Sequence, residues 1–197
     1  MWRNRRKQKG NFSILMLWGF LLLLLMGLYS FIIETYSVNA KAHKIQDDIV
    51  ISNLATYKLL DMTSLAETPR IFKIVSPANA LATSKIYLQK NMNLNSDMTA
   101  KAGNIVTGEV KIKEYILYNV SYNKVEIWKY NSNTNTFNLT TVADKTVTPV
   151  TSPNGVTITN TAIYTVLNVN VEVVMKGLLG ESLNQNIAAL TDIKGNE

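Results

Sequence analysis

Between residues 12 and 33 the chain reads FSILMLWGFLLLLLMGLYSFII, a run without a single charged side chain. At helical rise this stretch covers about 33 Å, enough to cross a hydrocarbon core with little tilt. In lipid only a helix satisfies its own backbone without partners, so the pattern predicts one transmembrane helix. A helix that half-covers a water-soluble core keeps a polar side, and this one is apolar all round. Residues 34–60 then continue without proline or glycine. Ala40, Ala42, Ile45, Ile49, Ala55 and Leu59 recur at mixed three- and four-residue steps, while Lys41, Lys44, Asp47, Asp48 and Lys58 fall mostly on wetter faces. That spacing predicts an amphipathic continuation of the same helix, a stalk over 34–62. Its stripe can cover the chain's own sheet, or Ala42, Ile45, Ile49 and Leu59 can dock a neighbouring subunit.

Beyond the stalk the period shortens. Thr63, Ser64, Thr68 and Pro69 break the helix, and 70–75 and 84–89 are short candidate strands with Pro77 between them. Residues 91–104 are polar and predict a loop. Over 109–120, Val110, Ile112, Ile116 and Tyr118 alternate with Lys111, Lys113, Tyr115 and Leu117, the period of a half-buried strand. Residues 121–123 turn the chain into a second strand over 124–130, and 137–142 returns after an Asn- and Thr-rich loop. Pro153, Asn154 and Gly155 mark another turn. In a long strand over 163–175, Ile163, Leu167, Val169, Val171, Val173 and Met175 share one face, and Asn168, Asn170 and Glu172 the other. Residues 183–193 supply a last strand or short helix. The expected class is α+β: a long N-terminal transmembrane and amphipathic helix packed on an antiparallel sheet with one covered face.

Charge orients this arrangement. The formal net charge is +6, yet Arg3, Arg5, Arg6, Lys7 and Lys9 precede the apolar run, which leaves +1 for everything after them. The basic pI therefore reports the tail, and no clustered basic face calls for a nucleic-acid partner. By the positive-inside rule the tail, 1–11, stays cytoplasmic and 63–197 forms an extracytoplasmic β-rich domain. Tyr29, Tyr36 and Trp2 suit the membrane interfaces. A cleaved secretory leader would share the basic start, with Ala40-Lys41-Ala42 imitating its cleavage site, but the run exceeds the ~7–15 apolar residues of such leaders.

Candidate chemistry is sparse. The chain has no cysteine and one histidine, His43, so thiolate metal sites, disulfides and His-based triads lack their parts. Asp47 and Asp48 are adjacent on a helix and point about 100° apart, which separates them as a carboxylate pair. No glycine-rich phosphate loop follows a strand. The expectation is a protein that is not an enzyme, binds no metal or cofactor, and has the lipid bilayer as its first partner. Within the run Trp18, Gly19 and Gly27 are candidates for helix packing, the glycines because a bare backbone lets another helix come close.

The basic tail with Lys9-Gly10-Asn11, the immediate apolar run, Lys44-Ile45-Gln46-Asp47-Asp48 leading to Ile51-Ser52-Asn53-Leu54-Ala55, and Val169, Val171 and Val173 before Gly177-Leu178-Leu179-Gly180 together carry a likeness. In these features the chain resembles the TadE/TadG-like proteins of bacterial tight-adherence (Flp) pilus systems, over about the first 60 and last 35 residues. The resemblance implies a pilin-like fold and a minor, structural or assembly subunit of a Tad/Flp-type pilus or related secretion machine. Its partners would be other pilin-like subunits or the assembly platform in the membrane of a low-GC, Gram-positive bacterium, a source that the plentiful Asn, Thr, Ile and Lys also fit. It further implies a possible peptidase cut after Gly10. Precursors of that kind carry glutamate five residues beyond the glycine, where this chain has Leu15. The other reading of the same residues is a membrane-anchored binding or sensor ectodomain that never polymerises.

Overall fold

The computed structural model describes residues 5–67, 71–176 and 180–192. Expectations that touched Trp2, Arg3, Thr68, Pro69, Arg70, Gly177, Leu178, Leu179 and Ile193 lie outside the described residues.

A single uninterrupted helix, α1 (Arg5–Leu54), takes in most of the basic tail, the apolar run and the amphipathic stretch. Its 50 residues extend about 75 Å. The two halves differ in every physical respect. From Phe12 to Ile33 each large apolar side chain is at least 45 % exposed. This part is long and apolar enough to cross a membrane, and none of its most apolar window is buried by the rest of the chain. From Glu34 onward a stripe goes under cover: Glu34, Val38, Ile45, Asp48, Ile49, Ser52, Asn53 and, in the following 3-10 turn (Ala55–Leu59), Thr56. The segment expected as a stalk thus lies against the sheet along its length. Ile45 and Ile49 are fully buried in this chain's own core, so neither is open to a neighbouring subunit; Ala42 and Leu59 are half-buried there as well.

After α2 (Met62–Glu67) comes α3 (Pro77–Asn91), where a short strand over 84–89 was expected. Ser76 caps this helix by accepting a hydrogen bond from the Asn79 amide at 3.3 Å, and Pro77 occupies a first-turn position where its missing N–H is no loss. The buried side, Ala80, Leu81, Thr83, Ser84 and Leu88, is spaced for a helix but built largely from small residues. The expected strand over 70–75 shrinks to one bridge, Leu60 to Ile74. Asn119 completes the attachment with its side-chain amide, donating to the Ile74 carbonyl (2.9 Å) and accepting from the Ile74 N–H (3.0 Å).

Five strands form one antiparallel sheet in the order β3-β2-β1-β4-β5: β1 (Val106–Ser121), β2 (Lys124–Asn131), β3 (Thr136–Val142), β4 (Ala162–Glu172) and β5 (Ser182–Asp192). The last element is therefore a strand. Within β1 the expected alternation fails at one point. The register runs Ile112↔Leu167 and then Glu114↔Val166, so Lys113 is an extra residue. One inserted residue sends the following side chains to the opposite face. Val106, Val110 and Ile112 face α1 and α3, and after the bulge Tyr115 and Leu117 take over that side. Ile116, Tyr118 and Val120 turn away, joining Val125, Ala162, Tyr164 and Val166 in a second core. Val150 and Ile158, from the crossing between β3 and β4, cover it. A turn with Pro153 at its second position, closed by the Gly155 N–H on the Ser152 carbonyl and by a left-handed Gly155 (φ +82°), folds that crossing back on itself. Both faces of the sheet are covered at this end, where one was expected.

Candidate functional site

The part of the chain that positions everything else is the junction where α1 stops being bare. Glu34 is the first charge after the run and is 3 % exposed. Its carboxylate accepts from the Val174 N–H (2.9 and 3.1 Å to the two oxygens) and from the Met175 N–H (2.8 Å), just past the end of β4. Two turns along the same face, the Lys41 ammonium donates to the Glu172 carbonyl at 2.6 Å. One carboxylate and one ammonium thus grip the same strand end through its backbone. Charge-assisted bonds of this kind are worth about 1.5–3 kcal/mol each, and a buried amide deprived of its acceptor costs about 1–3 kcal/mol. Replacing Glu34 with Ala should therefore speed hydrogen exchange at Val174 and Met175 by at least tenfold in the full chain, with β1–β2 amides unaffected. Glu34→Gln, which keeps an acceptor but loses the charge, should fall between.

Farther along α1 lies a wholly buried polar node. The Asn53 carbonyl oxygen accepts from the hydroxyls of Ser84 (3.3 Å) and Thr165 (3.1 Å), and its amide donates to the Thr191 hydroxyl (3.3 Å). α1, α3, β4 and β5 meet at this one side chain. Nearby, the Asn91 amide reaches the Ser52 hydroxyl at 3.2 Å, and the Tyr57 hydroxyl donates to the Thr191 carbonyl at 2.9 Å. Burial, with Asp192 adding to it, holds the Tyr57 phenol well above its ordinary pKa. Burial likewise pushes Tyr118 up to about 12, with Glu114 and Tyr164 contributing. Both phenols are neutral at physiological pH.

These two tie points set the orientation of the head. From Glu34 to Asn53 the helix climbs about 28 Å, and from Val174 back to Thr165 the strand covers about 30 Å. The rises match, so β4 runs down the side of α1 toward the apolar run, and the β1–β2 turn at Tyr122 lies at the far end.

A groove of about 660 Å³ opens where β1 lacks a second neighbour. Pairing with β2 begins only at Ile116↔Lys129, so residues 111–114 have β4 alone beside them. Lys85, Asp97, Lys111, Lys113, Tyr130 and Asn184 are among its walls, and the Lys85 ammonium sits 5.8 Å from the Tyr130 ring centre. Lysines along an unpaired edge deter another strand from adding there.

None of the family models, curated proteins or solved structures compared with the chain matches it.

Trp18 is exposed on the bare half of α1, and an added Cβ at Gly19 or Gly27 would meet nothing within 4 Å. Gly10 lies within the first turns of α1. His43 and Asp47 are exposed. Asp48, expected on a wet face, is buried and paired with Lys44 at 3.0 Å, one helical turn back. Among the described residues no three His, Asp or Glu side chains gather as metal ligands would. Glu34 and the Asn53 node escaped the sequence analysis. The one available sign was that residues 34, 38, 45, 49, 52, 53 and 56 keep a single helical period when polar members are counted with apolar ones.

Proposed function

We propose that the chain is a membrane-anchored, non-catalytic structural subunit of pilin-like design, serving a Tad/Flp-type pilus or a related secretion machine. The observation that carries this reading is α1: one rigid helix, bare and apolar over its first half, built into an α+β head over its second. A continuous helix of that kind transmits position and force between the bilayer and the head, since neither a proline nor a break interrupts it. In this reading the basic tail is cytoplasmic, the head is outside, and subunits pack through the bare half of α1 around Trp18, Gly19 and Gly27.

Because the chain has no natural cysteine, a single Gly19→Cys or Gly27→Cys variant reports helix packing without background. Oxidation in membranes should yield crosslinked dimers through at least one of the two positions, and protease added to intact cells should remove a C-terminal tag. Monomers at both positions, or a tag cleaved only after lysis, would overturn the reading. Mass spectrometry of the mature N-terminus tests the cut after Gly10.

The alternative is an anchored head that binds a ligand and stays single. The open groove beside β1 favours it, with lysines and a tyrosine ring on its walls and a floor of asparagines bonded to one another across β4 and β5. Monomers in the crosslinking experiment, with the head outside, are its signature.

A further inference from the structure

We propose that the segment just past the end of β4, at Val174 and Met175, is a second membrane-contacting element that seats the head directly on the lipid surface. The inference rests on the membrane-anchored reading above and adds where the head touches the bilayer.

Three observations lead to it. First, helical side chains tilt toward the helix N-terminus, so the Glu34 carboxylate lies on the apolar-run side of its own Cα. Val174 and Met175 donate their N–H groups to that carboxylate at 2.8–3.1 Å. They therefore sit level with the last turn of the run, where the hydrocarbon core gives way to headgroups. Second, the Val174 side chain is 63 % exposed although its amide is fastened inward. An apolar side chain held open to water by its own backbone bonds is poorly placed in solution and well placed against acyl chains. Third, the helix at this level carries the residues that favour such an interface. Tyr29 and Tyr36 bracket Glu34 at 69 % and 79 % exposure, amphipathic rings of the sort found at headgroup depth. The Lys176 ammonium, beside Val174, pairs with Glu172 at 2.6 Å and is more than half exposed, free to face lipid phosphates as well.

The consequence is mechanical. A head fixed only by a helix leaving the bilayer could tilt about that exit point. A second contact beside it, tied to α1 by Glu34 and to the sheet through β4, limits the tilt and sets which face of the head looks sideways along the membrane.

The test uses the full chain in vesicles of phosphatidylcholine and phosphatidylglycerol, with one cysteine at a time carrying an environment-sensitive fluorophore. The positions are Leu22→Cys in the run, Val174→Cys, and Tyr122→Cys at the far turn, each an exposed side chain. Tyr122 lies roughly 50 Å from Val174 along the strands, seven residues beyond the Tyr115↔Thr165 pair. With a spin label near the headgroup end of the acyl chains, the Val174 probe should be blue-shifted and lose most of its emission. The Tyr122 probe should keep its emission. A spin label near the chain ends should quench Leu22 and leave Val174 much less affected. If Leu22 is quenched while Val174 behaves like Tyr122, the seat on the lipid is wrong and the anchor stands. If Leu22 is not quenched either, the anchored reading fails and this inference goes with it.

Discussion

Replacing Asn53 with Leu should cost the fold about 3 kcal/mol or more, although the two side chains are close in size and the site is fully buried. The loss would come from what stays behind. Ser84, Thr165 and Thr191 each point a hydroxyl at Asn53, and a buried polar group left without its partner costs about 1–3 kcal/mol. The Thr191 hydroxyl is the least affected, because it only accepts from the Asn53 amide and loses no acceptor for its own proton, so the estimate stays below three full penalties. Emptying the node entirely should recover much of the loss. In Asn53→Leu combined with Ser84→Ala, Thr165→Val and Thr191→Val, no polar group is stranded, and apolar replacement of both partners can be nearly neutral. Denaturant unfolding of the full chain in detergent, followed by far-ultraviolet circular dichroism, measures both variants. If the quadruple variant is as unstable as the sum of its single changes, the node is not a coupled network.

That node also marks the limit of what was legible beforehand. The bare helix, the β4 face of Ile163, Leu167, Val169, Val171 and Val173, and the β2–β3 hairpin follow from period alone, because a buried face made of large aliphatic residues writes its own spacing into the chain. Where the buried face is made of other material, the signal fades. α3 presents Ala80, Thr83 and Ser84 inward, small residues whose burial reflects close helix approach and whose hydropathy is indistinct. Its start was readable instead from Ser76 and Pro77, a capping signal that outweighs a six-residue strand pattern. Asp48 went to the inside because Lys44, one turn back, neutralises it at the rim of the core.

Contacts between distant parts of the chain left no trace at all. Glu34 reads as the boundary of an apolar run and nothing more, since its partners are backbone amides 140 residues away. A backbone amide is the same in every residue but proline, so no pattern could announce it. The Lys113 bulge is similar: a one-residue slip in register is decided by what packs on each face, and here two cores, one on either side, accept the switch of Tyr115 and Leu117 for Ile116 and Tyr118. The candidate site was legible as a location, the place where the apolar run ends, but its chemistry was legible only in three dimensions.

The last expectation concerns the run itself, and magnitudes decide its form. Residues 12–33 contain fourteen Phe, Leu and Ile side chains, which at mid-membrane favour insertion by about 4–8 kcal/mol in total. Exchanging one central Leu for Arg moves the balance by about 3–4 kcal/mol, and two exchanges by about 6–8 kcal/mol. Leu22→Arg alone should thus leave most of the protein in the membrane, whereas Leu22→Arg with Leu23→Arg should release most of it to carbonate extraction and keep the C-terminus inside protease-treated cells. The head should be indifferent to either change, because no part of the most apolar window is buried against it. Thermal unfolding of the detergent-solubilised variants should match the parent within about 0.5 kcal/mol, as for surface substitutions elsewhere. A double-arginine variant that stays inserted would mean the helix lies against a partner able to shelter the charges. One that unfolds the head would mean the two halves of α1 are coupled in a way that their separate burial does not account for.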